Sequence, residues 1–206
     1  MIDISGWFSY KGTTIMQHED IVIKLYKLFE EIKPSQVLEI GTSHGGLTLL
    51  IRDTLDELSL SDTVFRTYDV FNGERYWLDL SISNGSKIEL LIKNIFNHPY
   101  SDLLDTEVDD VTNFIQRDGR TIVMCDGGSK KNEFRILSHL LKPGDIIMAH
   151  DYSPNRKYFE DVVQEKIWNW IEIEDSDIEE SVIKHNLAPY MENDFREVVW
   201  VCKIKK

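Results

Sequence analysis

Apolar positions along this chain alternate between two periods. Residues 18–33 carry Ile21, Leu25, Leu28, Phe29 and Ile32 at helical spacing, and Pro34 ends the run. Gln36–Ile40 follows as a short apolar stretch that predicts a buried strand. Helical spacing returns from Gly45 to about Leu58, with Leu47, Leu50, Ile51, Leu55 and Leu58 on one side. Further strands are predicted at Val64–Asp69, Lys87–Ile92, Thr121–Cys125 and Asp145–Ala149. Helices are predicted at Asp102–Arg117 and at Glu133–Leu141, the second closed by Lys142-Pro143-Gly144. Strands and helices therefore alternate. The strands are continuous apolar runs, as expected where both faces of a parallel sheet are covered. The fold class is α/β.

After residue 155 the pattern changes. Tyr158–Trp170 reads as an amphipathic helix, Ser176-Asp-Ile-Glu179 as a capping box opening a short helix, and Phe195–Ile204 as a final strand. The 206 residues fit one domain: an N-terminal helix and lid over 1–34, a core over 35–151, and C-terminal helices and strands over 152–206. There is no repeat and no low-complexity linker.

Glu39-Ile-Gly41-Thr42-Ser43-His44-Gly45-Gly46-Leu-Thr48 joins a strand to a helix. In an open α/β sheet, ligands bind beyond the carboxyl ends of the strands at such a turn. Glycines at 41 and 45 let the backbone approach a ligand, with N–H groups unpaired at the helix start. The G-x-x-x-G-G spacing is neither the dinucleotide nor the phosphate-loop signature. Glu39, two residues earlier, repels a pyrophosphate and suits a ligand carrying ammonium and sulfonium charge. That favours S-adenosylmethionine over NAD, with Glu39, Gly41, Thr42, Ser43 and Gly45 as its contacts. Asp69, at a strand end 28 residues beyond Gly41, is placed to accept both ribose hydroxyls. A turn that needs glycine only for its shape, and an Asp69 that is merely solvated, are the plainer alternatives.

Asp126-Gly-Gly-Ser-Lys130-Lys131 and His150-Asp151 follow neighbouring predicted strands. Adjacent parallel strands bring Asp126 and Asp151 to one edge, with Asp126 also beside the cofactor's methyl group. Asp126, His150 and Asp151 together are candidate ligands of one divalent ion, Mg²⁺ or another. Such an ion lowers the pKa of a substrate hydroxyl. Lys130, His150 or Asp126 are the candidate catalytic groups, and simple capping of the following loops is the alternative. His44 is read as solvated, Trp168, Trp170 and Trp200 as core, and Glu172–Glu180 as a solvated face.

Charge narrows the partner. Lys plus Arg number 23 against 36 Asp plus Glu, a net charge of -13, so a polyphosphate partner is repelled and nucleic acid is not expected. No apolar run is long enough to cross a membrane. Cys125 and Cys202 do not suggest a disulfide framework, and a reducing cytoplasm is the default expectation.

The segment around Gly41 resembles motif I of class I S-adenosylmethionine-dependent methyltransferases. Residues 5–151 are similar to a group that includes the rhamnosyl O-methyltransferase and cephalosporin hydroxylase family and catechol-type O-methyltransferases. The likeness is strongest in Trp7, Gly12, Gln17-His-Glu-Asp20 and Lys33-Pro34-Ser-Gln-Val-Leu-Glu-Ile-Gly-Thr-Ser-His-Gly-Gly46. It implies a Rossmann-like, doubly wound, mostly parallel seven-stranded sheet with the last strand antiparallel. It also implies methyl transfer to a hydroxyl of a small molecule, a sugar or glycosylated natural product, with a metal bound by acids at the positions of Asp126 and Asp151. This chain departs from the pattern at His150, where catechol-type enzymes carry an acid, and at Ser129, where relatives often carry a basic residue. A non-catalytic S-adenosylmethionine or nucleotide binder, and a nucleotide-binding oxidoreductase, remain the alternatives, and a homo-oligomer is left open.

Overall fold

A computed structural model describes residues 6–71, 87–96 and 109–206. Its centre is a seven-stranded sheet: β3 (Gln36–Ile40), β4 (Val64–Asp69), β5 (Ile88–Ile92), β6 (Thr121–Cys125), β7 (Ile146–Ala149), β8 (Leu187–Pro189) and β9 (Val201–Lys205). The order across the sheet is β5-β4-β3-β6-β7-β9-β8. Strands β3 to β7 run parallel, and β9 lies antiparallel between β7 and β8. The expected Rossmann-like sheet with an antiparallel last strand is therefore present.

The period of two along each strand divides the core. Val37, Phe65, Ile122 and Met148 pack with Leu25, Leu28, Leu47, Leu50 and Ile51 of α1 (Ile21–Ile32) and α2 (Gly46–Glu57) on one face. Leu38, Ile40, Tyr68, Val123 and Ile147 pack with Val111 and Phe114 of α3 (Asp109–Ile115) and Phe134 and Leu137 of α4 (Lys130–Leu137) on the other. Cys125 and Cys202 are buried and free, and they fall on opposite faces, so they cannot pair.

The chain runs outward from β3 to β5 and then crosses back to β6. This reversal leaves the crevice that doubly wound sheets use for ligands. Register places the same row of residues along it. Ile40 is level with Tyr68 and with Cys125, and Cys125 is level with Ala149. Asp69, Gly41, Asp126 and His150 therefore stand side by side at the carboxyl edge.

Several elements differ from the sequence expectation. Phe8–Tyr10 (β1) and Thr13–Ile15 (β2) form a hairpin, with Lys11 and Gly12 both at positive φ in the turn. Three-residue strands are too short to show a period. Tyr158–Trp170 is not one helix. Arg156–Tyr158 (α5) runs into a π-helical turn, Phe159–Val163, and the chain then leaves the helix at Gln164 and at the left-handed Glu165. That departure lets Trp168 turn inward. Phe195–Ile204 is not one strand either: Glu192–Arg196 (α7) precedes β9, and Val199 at φ 57° separates them. The helix Asp175–Lys184 (α6) opens on a capping box made by Glu174 and Asp177, two residues before the expected Ser176–Glu179 box. Of Asp102–Arg117, residues 102–108 lie outside the described residues. Among the described residues no helix is long and apolar enough to cross a membrane.

Candidate active site

The turn between β3 and α2 is held open by backbone. Gly41 adopts φ 98°, and a Cβ there would meet the Asp126 carbonyl oxygen at 2.3 Å, so no other residue fits without movement. Ser43 is left-handed as well, and its N–H donates to Asp69 Oδ2 at 2.7 Å. Asp69 Oδ1 accepts the Phe71 N–H at 2.8 Å. The acid at the end of β4 thus clasps the glycine turn while facing the cleft. That cleft has a volume of about 570 Å³. Gly41, Ser43, His44 and the 126–129 loop line one side, and Val70, Phe71, Ile95 and Phe96 supply an apolar wall. Size and lining suit a nucleoside-sized ligand.

Three expected cofactor contacts lie behind the turn. Thr42 Oγ1 pairs with Thr67 Oγ1 at 2.6 Å, both buried, and Gly45 sits at the N-cap of α2 with φ 79°. Glu39 shares the strand face of Val37, beneath α2. It is fully buried and accepts a hydrogen bond from Thr48 Oγ1 at 2.6 Å. Burial pushes its carboxyl up to about 8, against the opposing pull of the Thr48 and Thr67 hydroxyls. The expectation that the Glu39 side chain meets the cofactor is corrected: strand parity turns it away from the cleft.

Beyond Asp126 the site is built from side chains. Asp126 Oδ2 accepts Gln17 Nε2 at 2.7 Å, and its Oδ1 lies 3.2 Å from His150 Nδ1. Gln17 Oε1 in turn accepts Trp200 Nε1 at 2.8 Å. The His150 ring lies 5.1 Å from both Trp168 and Trp200, and its Nε2 is buried with no hydrogen-bond partner among the described residues. Asp151 Oδ1 accepts Trp168 Nε1 at 2.5 Å, and its Oδ2 lies 3.0 Å from Lys130 Nζ. Burial alone would raise the Asp151 carboxyl, but His150, Lys130 and the indole N–H hold it below its ordinary value.

Lys130 opens α4 and points back into this cluster. Its Nζ reaches the Gly127 carbonyl at 3.0 Å and Glu172 Oε2 at 3.2 Å, with Asp126 Oδ1 at 3.9 Å. Burial would lower its pKa, yet Asp126, Asp151 and Glu172 outweigh that and raise it. That direction, together with the oxygens packed around its Nζ, argues against Lys130 as a general base.

The divalent-ion expectation meets a cluster whose polar atoms are already paired. Asp126, His150 and Asp151 do converge, but among the described residues no group of three or more His, Cys, Asp or Glu is placed to hold a metal ion. Both Asp151 oxygens are engaged, one by an ammonium and one by an indole. These donors do not fit a divalent cation.

Sequence reasoning missed four participants. Gln17 was visible only as part of a resemblance. Trp168 is core, as expected, but also bonds Asp151, whereas Trp170, expected in the core, is half exposed, and Glu172 is not simply solvated. Glu133 is buried and accepts the N–H groups of Gly127 and Ser129, both at 3.1 Å, which fixes the loop after β6. Burial pushes its carboxyl up to about 7 despite these bonds. Its position in the first turn of a predicted helix was the available signal.

No protein-family model matches the chain, and no curated protein matches its sequence. Solved structures do match its fold. An apo structure of CmcI (N160) aligns with a TM-score of 0.64 at 15% identity, over 97% of this chain and 76% of that one. Another, CmcI (D160), described with Mg and S-adenosylmethionine, aligns at 0.59 and 17% identity, over 98% and 78%. An O-methyltransferase family protein from Burkholderia thailandensis aligns at 0.60 and 12% identity, and this chain covers 90% of its own length but 55% of that protein. The N-methyltransferase NodS from Bradyrhizobium japonicum WM9, bound to S-adenosylhomocysteine, aligns at 0.51 and 12%, over 90% and 86%. Sheet order, the single antiparallel strand and these alignments agree that the chain has the fold of the class I S-adenosylmethionine-dependent methyltransferases.

Proposed function

We propose that this protein transfers the methyl group of S-adenosylmethionine to a hydroxyl of a small molecule, a sugar or glycosylated natural product. The observation that carries the reading is the row Asp69–Gly41–Asp126 at the carboxyl edge of the sheet, opening on one cleft. The Gly41–Ser43 backbone holds the aminoacyl part. Asp69 accepts the ribose hydroxyls, and Val70, Phe71, Ile95 and Phe96 sandwich the base.

S-Adenosylmethionine brings an activated methyl sulfonium, so the protein's task is alignment and proton removal. With the cofactor bound, the methyl carbon would be the electrophile for the acceptor oxygen and S-adenosylhomocysteine would be the leaving group. Asp126 lines the cleft and takes the hydroxyl proton, with His150 at 3.2 Å behind it as a positioning group. Gln17 fixes the other Asp126 oxygen, which keeps the free edge of the carboxylate towards the acceptor. An acidic chain suits a neutral or cationic acceptor better than a phosphorylated one.

One feature favours a second reading. The polar atoms around Asp151 are already paired, which leaves that carboxylate without a free edge for an acceptor and suits binding of the nucleoside without transfer. The two readings separate in one experiment: calorimetry with S-adenosylhomocysteine, followed by transfer of labelled methyl from S-adenosylmethionine to a panel of hydroxylated acceptors. Transfer that is lost in Asp126→Asn supports the enzyme. Binding without transfer supports the sensor. Tighter binding of NAD than of S-adenosylhomocysteine sinks both.

A further inference from the structure

The acidic cluster already contains a cation. Lys130 Nζ has three protons to donate, and three oxygens lie within 3.2 Å: the Gly127 carbonyl, Asp151 Oδ2 and Glu172 Oε2. Asp126 Oδ1, at 3.9 Å, adds a longer ion pair. The lysine side chain is only 8% exposed, so it does not swing free in solvent. A lysine at the first position of a helix opposes the helix dipole, and its acidic partners offset that cost. The partners here come from three separate segments: the loop after β6, the residue pair after β7, and the stretch leading to α6. The placement is therefore a tertiary feature and not a local accident.

We infer that the Lys130 ammonium is the built-in cation of this site, standing between Asp126 and Asp151 where a divalent ion would otherwise sit, so that the protein works without a divalent metal. The catalytic part rests on the methyl-transfer reading; the cation part does not. An ammonium neutralises the acids and donates hydrogen bonds, but it has no empty coordination position for a substrate oxygen. Polarisation of the acceptor hydroxyl then falls to the Asp126 carboxylate and to alignment. A divalent ion entering between the two acids would also have to meet the positive charge of Lys130 at close range.

The test uses Mn²⁺ as the probe, followed by calorimetry and by paramagnetic broadening of the His150 ring protons, on the full chain. Wild type is expected to show no saturable Mn²⁺ binding at the cluster, and its affinity for S-adenosylhomocysteine should be unchanged by EDTA. Lys130→Ala removes the ammonium and leaves three carboxylates, so it should gain one Mn²⁺ site per chain, at least about tenfold tighter than wild type. The double variant with Asp126→Asn should lose that gain. Stoichiometric Mn²⁺ binding by wild type that broadens His150 overturns the inference, as does a folded Lys130→Ala with no gained site. If Lys130→Ala fails to fold, Lys130→Met supplies the charge deletion at similar length, and the wild-type measurement decides by itself. A failure of cofactor binding alone would strike the methyl-transfer reading and leave the cation assignment standing.

Discussion

The two halves of the site are made of different material. On the proposed cofactor side, Gly41 and Ser43 present backbone in left-handed conformations, and Asp69 fastens them through an N–H group. On the proposed acceptor side, Asp126, His150, Asp151, Lys130 and Trp168 present side chains whose polar atoms mostly satisfy one another. The first half is open because backbone occupies little room. The second is ordered because buried charge is tolerated only when it is paired. Generic recognition of a cofactor and specific handling of an acceptor make these different demands.

If this contrast is right, substitutions should separate the halves. The largest effect is expected for Gly41→Ala. A Cβ 2.3 Å from the Asp126 carbonyl, at a φ of 98°, should cost on the order of 3 kcal/mol or more and abolish measurable S-adenosylhomocysteine binding in calorimetry. Near-normal affinity in that variant would break the comparison. Asp69→Ala removes the clasp on Ser43 and the proposed ribose acceptor, and should weaken the same ligand by roughly 10- to 30-fold. Unchanged affinity would remove the ribose assignment.

Trp168→Phe acts on the other half. It deletes the indole N–H that meets the Asp151 carboxylate and should lower stability by about 2 kcal/mol in denaturant melts. Cofactor affinity should hold. A matching loss of affinity would show that the halves are coupled.

The remaining effect is a pH slope. Glu39 has a folded value near 8 against 4.5 for an ordinary glutamate, so the native state binds more protons between those values. Its contribution is fully present below about pH 4.5 and is lost as pH rises towards 8, at a limiting slope of about 1.4 kcal/mol per unit. Glu39→Gln keeps an acceptor for Thr48 and cannot ionise. Its stability should therefore fall less than wild type between pH 6 and 8, and parallel curves would contradict the burial argument.

The parallel core was legible because Gln36–Ile40, Thr121–Cys125 and Asp145–Ala149 are apolar without alternation, a pattern that a sheet covered on both faces produces. Gly41, Asp69 and Asp126 were legible because each ends such a run. Glu39 was misread although its parity with Val37 was visible: the residue type drew attention and its strand face did not. Gln17 and Trp168 could not be placed from local pattern. Gln17 reaches Asp126 across 109 positions, and Trp168 reaches Asp151 only because the helix before it breaks. The role of Lys130 depended on oxygens from separate segments, which spacing does not encode. The proton-holding consequence follows from their sum.

Gln17 lies two residues past the β1–β2 hairpin, and that hairpin leans on α2 so closely that a Cβ at Gly46 would strike the Thr14 carbonyl at 2.3 Å. The helix carrying the glycine turn and the amide gripping Asp126 thus hang from one short rod of chain. Displacing that rod would tug both ends together, so residues 8–17 tie the glycine turn to the Asp126 carboxylate.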